Sequence, residues 1–305
     1  MATDVVGGAT VAPPTALGGG RAARPLQLAP LLPAAVILVG LFFVPLGLMF
    51  VFSLWSTAEN LDVLAVWSLE NYQNFFENPT YVRTLLKTMA IGAGVTVVCL
   101  VIAFVVAYFL SRYVSRRWAR ISLLVIIVPF WTSYLLRVYS WQAILGERGA
   151  LNQVLTGLGI FREPSLLFVY NDFGTFLVLV YLYIPFATLV LYASLERFDF
   201  TQLTAAQDLG ASPTGAFRHV LLPQIRPGLI TACIFVFIPI LGEFLTPSMV
   251  GGASGLLIAN LVANFFKNAL IPEGAAVGFM IAALVTLLLV VFRRYLRVED
   301  VYARG

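Results

Sequence analysis

Apolar residues in this chain gather into six long runs, at roughly 29–54, 84–110, 121–144, 173–195, 228–249 and 275–292. Each approaches the ~20 residues that an α-helix needs to cross the hydrocarbon of a bilayer. The pattern predicts an all-α membrane protein in which six transmembrane helices fill residues 29–295. A tail precedes them at 1–28 and a short one follows at 296–305. Proline interrupts several runs: Pro30, Pro33 and Pro45 in the first, Pro129 in the third, Pro185 in the fourth, Pro239 and Pro247 in the fifth. A proline in lipid frees backbone carbonyls, which neighbouring helices or a watery cavity must then satisfy. Kinks of this kind suit a bundle that opens and closes. The general abundance of proline in membrane helices is the competing explanation.

Composition agrees with the pattern. Of 305 residues, 60% are hydrophobic and 11% charged, outside the range of soluble globular domains. The basic residues concentrate on alternate loops, with fewer on the others: Arg21 and Arg24 in the first tail, Arg112, Arg116, Arg117 and Arg120 in one short turn, Arg197, Arg218 and Arg226 after the fourth run, and Arg293, Arg294, Arg297 and Arg304 at the end. The other loops hold Glu59, Asp62, Glu70, Glu77, Glu147, Glu163, Asp172 and Glu273. Positive charge is retained in the cytoplasm during insertion, so both termini are expected there. Topology thus accounts for the net charge of +4, which gives no reason to expect nucleic acid as a partner. The Ala-, Gly-, Pro- and Thr-rich residues 1–25 lack the apolar core of a signal peptide and read as a disordered cytoplasmic tail, with the first run as an uncleaved anchor. Cys99 and Cys233 lie inside runs as packing residues, and with a single histidine neither a disulfide framework nor a metal site is expected.

Among the loops, residues 55–83 mix Trp55, Trp67, Tyr72, Phe75, Phe76 and Tyr81 with acids and asparagines, the composition of an interfacial aromatic belt that a binding partner could also use. The segment Leu145 to Asp172, with glycines around Asn152, reads as a short external helix or re-entrant piece. Gly274 and Gly278 hint at close helix packing.

A phosphate-cradling loop needs Gly-x-x-x-x-Gly-Lys-Ser/Thr. The only lysines are Lys87 and Lys267, and neither follows a glycine, so this chain does not hydrolyse ATP by that route. If ATP drives it, another polypeptide supplies the motor, together with the nucleotide and Mg; no cofactor is expected in this chain. The longest polar segment, Thr204 to Pro223, reads as two short helices joined by a small-residue bend. Gly210 can take the left-handed conformation that ends the first helix, Ser212 can cap the second, and Pro213 suits its first position.

Residue by residue, this hairpin resembles the loop by which permease subunits of binding-protein-dependent ABC importers grip their ATPase. Ala205, Ala206, Gly210, Phe217 and Pro223 match that pattern, while Thr204 stands where the family has an acid, and Asp208 is a candidate replacement. The alanines would keep one helical face thin, and Phe217 would offer an apolar anchor to the partner. The resemblance continues through Arg137-Val-Tyr-Ser-Trp141, Tyr183-Ile-Pro-Phe186, Leu191-Tyr-Ala-Ser-Leu195, Pro227-Gly228, Gly242-Glu-Phe-Leu-Thr-Pro247, Gly251-Gly252 and Gly274-Ala-Ala276, which look like the spermidine/putrescine-type permease subfamily. It implies a type I importer in the bacterial inner membrane, with 196–227 as the ATPase-docking loop. The implied partners are an ATPase dimer, a second and related permease, an extracytoplasmic solute-binding protein and the lipid bilayer. The implied mechanism is alternating access, without covalent chemistry, on polyamines or a related small organic solute.

Glu243 is the acid that the membrane makes expensive, at about 3 kcal/mol for a carboxylate at a helix centre. Two readings compete. It lines the solute path, with Thr246 one turn on and Trp131 or Tyr134 offering cation–π contact, or it pairs with Arg137 and fixes two helices. Arg112, Arg116, Arg117 and Arg120 read as topology anchors or as a site for a regulator or anionic lipid. Two other classes stand beside the importer: an ion-coupled secondary transporter or channel, which needs a relay of ionisable groups beyond Glu243, Arg137 and Lys87, and a purely structural subunit.

Overall fold

The computed structural model describes residues 32–58 and 60–296. The expectations for both tails, and those resting on Arg21, Arg24, Pro30, Glu59, Arg297 and Arg304, lie outside the described residues. Helices α1 (Leu32–Ser53), α3 (Pro79–Arg112), α7 (Asp172–Leu195), α10 (Leu222–Leu241) and α13 (Ile271–Leu296) dominate the order of elements. Shorter helices connect them: α2 (Glu70–Glu77), α4 (Arg116–Ile127), α5 (Tyr134–Leu145), α6 (Ala150–Gly157), α8 (Thr201–Asp208), α9 (Pro213–Ala216), α11 (Leu245–Val250) and α12 (Ile258–Lys267). A two-residue hairpin, β1 (Ser56–Thr57) against β2 (Val63–Leu64), follows α1. Five helices are long and apolar enough to cross a membrane, and a bent pair makes a sixth. The chain forms two units, one ending at Gly47 and the other starting at Leu48. In the first, Val36 to Phe43 are largely exposed, as expected of a helix whose solvent is lipid.

The second unit is built on α3, α7 and α10. Lipid tails are as apolar as leucine, so these helices hold together by close van der Waals packing rather than by escape from water. Small residues make that possible. Gly92, Thr96, Cys99, Ala103 and Ala107 are buried along one face of α3. A Cβ added at Gly92 would press on Phe237 of α10 at 3.2 Å, and one at Gly228 of α10 would overlap the Ser194 side chain of α7. Gly278 similarly lies against Met49, as the small pair in the sixth run anticipates.

Two of the expected spans are corrected. The third, read as one helix over 121–144, is α4, a 3-10 turn at Val128–Trp131 and α5, bent by 91°. Pro129 lacks the N–H that would continue α4, its carbonyl instead accepts from the Thr132 side chain at 2.6 Å, and Thr132 and Ser133 are extended. The fifth, read as 228–249, starts at Pro213 and stops at Leu241. Gly242 and Glu243 close it with 3-10-type bonds back to Pro239 and Ile240, and α11 starts a new helix.

Local chemistry sets the other boundaries. Asn78 caps α3 by accepting from Thr80 N–H, with Pro79 at the first helical position, so α3 starts before the apolar run does. Asn152 of α6 is buried and donates to the carbonyls of Gly146 and Ser165, which makes the segment after α5 a braced short helix.

Candidate functional site

The hairpin Thr204 to Pro223 takes the expected shape. Gly210 has φ +91°, and the Ser212 side chain accepts from Gly215 N–H at 3.1 Å. Its second helix, however, is not short. From α9 the chain passes through a π-helical turn, Phe217–Leu221, directly into α10, so hairpin and span form a single 29-residue helical rod, Pro213–Leu241. The wide turn falls just before Pro223, whose ring in a regular α-helix would clash with the carbonyl four residues back, that of His219. On α8, Leu203 is buried against the bundle, while Thr204, Ala205 and Asp208 are exposed and Ala206 is half-buried. Thr204 and Asp208 are one turn apart on one face. Asp199 accepts from the Thr201 hydroxyl and N–H, which holds its carboxyl below the usual carboxylate range.

Phe217 is shared between two surroundings: its ring packs edge-on against Phe104 of α3, centroids 5.7 Å apart, yet the side chain stays 37% exposed. The large apolar side chain left open at the tip is Leu209, 90% exposed, which sequence reasoning passed over. Pro223 is exposed, beyond the π-helical turn. The basic turn packs here too: Arg112 lies over Phe200 at 5.2 Å, and Arg116 pairs with Glu196 at 3.3 Å. A groove of about 360 Å³ runs between the end of α3 and α8–α9, lined by Phe104, Tyr108, Arg112, Gln207 and Phe217 among others.

The second site is the break between α10 and α11. Glu243 is 8% exposed, and its carboxylate is fully engaged. Oε1 accepts the N–H groups of Leu245 and Thr246, each at 3.1 Å, which caps the new helix; Oε2 accepts the Tyr134 hydroxyl at 2.6 Å and the Tyr183 hydroxyl at 3.5 Å. Tyr134 also meets the Thr246 hydroxyl at 2.7 Å. One acid therefore ties α5, α7 and α11 together. Asn260 of α12 braces the same break, donating to Phe244 O at 2.8 Å and Ser248 Oγ at 2.7 Å.

The structure thus brings Glu243, Thr246 and Tyr134 together and leaves Trp131 apart, 86% exposed. Arg137 and Glu243 form no ion pair among the described residues. The guanidinium lies over the Phe130 ring at 4.3 Å and the Tyr134 ring at 5.6 Å, and its Nε and one Nη are buried without a hydrogen-bond partner. Tyr134 stands between them, its hydroxyl on the anion and its ring face on the cation. Tyr183 and Phe130 were not singled out as site residues in the sequence, although a buried tyrosine hydroxyl in an apolar run usually finds a partner.

A cleft of about 330 Å³ beside this group is lined by Thr132, Leu136, Arg137, Ser140, Trp141, Ile144 and Tyr181. At the far end of α7 from the hairpin, Lys87 pairs with Asp172 at 3.1 Å and also donates to the Ser254 carbonyl.

Residues 101–299, which include the hairpin, both breaks and Glu243, match the model of the binding-protein-dependent transport system inner membrane component. The chain belongs to that family. This permease is 33% identical over 259 residues to the spermidine/putrescine transport system permease protein PotB of Escherichia coli K12, covering 84% of this chain and 93% of that protein. It is 34% identical over 228 residues to the PotB of Haemophilus influenzae, covering 74% and 79%. Among solved structures, a bacterial alginate ABC transporter in complex with its alginate pentasaccharide-bound periplasmic protein is similar in fold, with TM-score 0.69 and 13% identity over 89% of this chain and 95% of that one. The permease is a multi-pass protein of the bacterial inner membrane and a transport subunit of an ABC importer.

Proposed function

We propose that this permease passes polyamines, or a closely related small organic cation, across the inner membrane by alternating access. The observation that carries the substrate class is Glu243: a buried carboxylate at a helix break, ringed by tyrosine hydroxyls and paired with no cation among the described residues, in a chain whose relatives are named spermidine/putrescine permeases. A cargo ammonium is the natural counter-ion of such a group.

In this reading both termini and the α8–α9 hairpin face the cytoplasm, as the arginine pattern suggests. An ATPase dimer, which holds the ATP and Mg, grips Thr204, Ala205, Ala206, Asp208, Leu209 and Gly210. Closure of that dimer tilts the rod Pro213–Leu241 as one body, and the tilt reaches Glu243 at its end. Phe217 steadies the hairpin through Phe104 while its exposed edge, with the exposed Pro223, remains open to the ATPase. A solute-binding protein delivers cargo from outside, and a second permease, related to this chain, completes the path past Glu243, Thr246 and Tyr134.

The test is ATP-driven uptake of labelled putrescine and spermidine by proteoliposomes that hold the complete importer, with a neutral sugar as control. Uptake of amine but not sugar, lost in Glu243→Gln, is expected. Uptake that is unchanged in Glu243→Gln, or no amine uptake by the wild type, would refute the proposal.

A further inference from the structure

A buried carboxylate and a half-buried guanidinium lie one tyrosine apart, and neither has an ion-pair partner among the described residues. Glu243 is satisfied by neutral donors only, two backbone N–H groups and two phenol hydroxyls. Arg137 keeps two buried donors unmet on a guanidinium held by aromatic faces. Buried polar groups are almost always hydrogen-bonded, and an unmet donor on a cation is among the most costly exceptions. An arrangement that joins the guanidinium to the carboxylate meets those open donors and adds the attraction of opposite charges at low dielectric.

The backbone supplies the means. Arg137 sits in the first turn of α5, just past the 91° bend at Thr132–Ser133, and Glu243 sits in the break between α10 and α11. Each charge is carried beside a joint. The bond nearest to breaking is Tyr183 to Glu243, at 3.5 Å, and Tyr183 lies two residues before Pro185, which kinks the ladder of α7.

We propose that Arg137 is the permease's own substitute for the cargo: its guanidinium and the solute ammonium occupy Glu243 in alternation. With cargo present, the ammonium takes the place that Tyr183 loosely holds, and Arg137 stays stacked on Phe130. As the helices rearrange, Arg137 leaves the stack, pairs with Glu243 and displaces the ammonium. The carboxylate is then neutralised as cargo departs, and it does not recapture what it has released. The inference rests on the ammonium cargo proposed above and adds Arg137 as the residue that sets release.

The complete importer in proteoliposomes decides it, with ATP-driven putrescine uptake measured against the concentration of loaded binding protein. Without its competitor, Arg137→Gln should hold cargo longer, so maximal rate and half-saturating concentration should fall together, each by about tenfold, the scale of one charge-assisted hydrogen bond. Arg137→Lys, which keeps the cation, should stay within about threefold of wild type in both. A fall in rate with half-saturation unchanged or raised means that Arg137 only braces the helices, and it overturns the proposal, as does a Gln variant indistinguishable from wild type. If Arg137→Gln does not assemble, Arg137→Lys decides alone: wild-type rate and half-saturation support exchange, and loss of either overturns it. A wild-type importer that takes up no putrescine would instead sink the functional reading.

Discussion

Replacing Tyr134 with phenylalanine tests the geometry around Glu243 most directly, because it removes one oxygen and keeps the ring that faces Arg137. The lost hydroxyl donates to a carboxylate oxygen at 2.6 Å and also meets Thr246 at 2.7 Å. A hydrogen bond to a charged group is worth about 1.5–3 kcal/mol and a neutral one about 1 kcal/mol. Part of the second is recovered if Thr246 turns to another acceptor, so a cost of about 2–3 kcal/mol is expected. Tyr183→Phe is the internal comparison. Its bond is 3.5 Å long, at the limit of hydrogen bonding, and its loss should cost under about 1 kcal/mol. Reversible unfolding of the purified permease in mixed micelles reads both variants against wild type. Putrescine uptake should fall about tenfold or more in Tyr134→Phe and much less in Tyr183→Phe. If Tyr183→Phe proves as destabilising as Tyr134→Phe, the ranking by distance is wrong, and with it the assignment of Tyr183 as the loose ligand of Glu243.

Three further outcomes are expected. Gly228→Ala should lower the yield of folded permease because its Cβ collides with Ser194, and Ser194→Gly should restore it; a single variant with wild-type yield contradicts the packing of α7 on α10. Leu209→Asp should abolish co-purification of the ATPase with the permease still inserted, whereas Phe217→Asp, facing Phe104, should also loosen the hairpin and speed its proteolysis; equal effects of the two on proteolysis argue against the contact of Phe217 with Phe104. Asn152→Ala removes a buried brace and should cost about 2–3 kcal/mol, read as faster proteolytic nicking between residues 158 and 171; unchanged nicking contradicts it.

Hydropathy alone located the membrane helices, because a lipid-facing side chain must be apolar whatever its neighbours do. It could not see the two breaks. Thr132 and Ser133, and Gly242 and Glu243, are short polar insertions inside apolar windows, and averaging over ~20 residues erases them. The shape of the hairpin was legible since Gly210, Ser212 and Pro213 act through local backbone rules. The orientation of Phe217 was not, because an aromatic side chain suits a partner's pocket and its own bundle equally well until α3 is seen beside it. Glu243 stood out by its cost in lipid. Of its ligands, Tyr134 was legible only as a ring face for a cation, not as a hydroxyl donor to the acid, and Tyr183 was not legible at all, because both come from helices distant in sequence.

In the proposed mechanism the continuous passage from α9 into α10 would work as a lever arm. At the α-helical rise, 29 residues span roughly 44 Å. Pivoted near its middle, such an arm tilted by about 5° shifts each tip by roughly 2 Å, ample to make or sever a bond already stretched to 3.5 Å. A modest nudge at Gly210 would therefore be felt at the far tip as a change in which groups hold the acid.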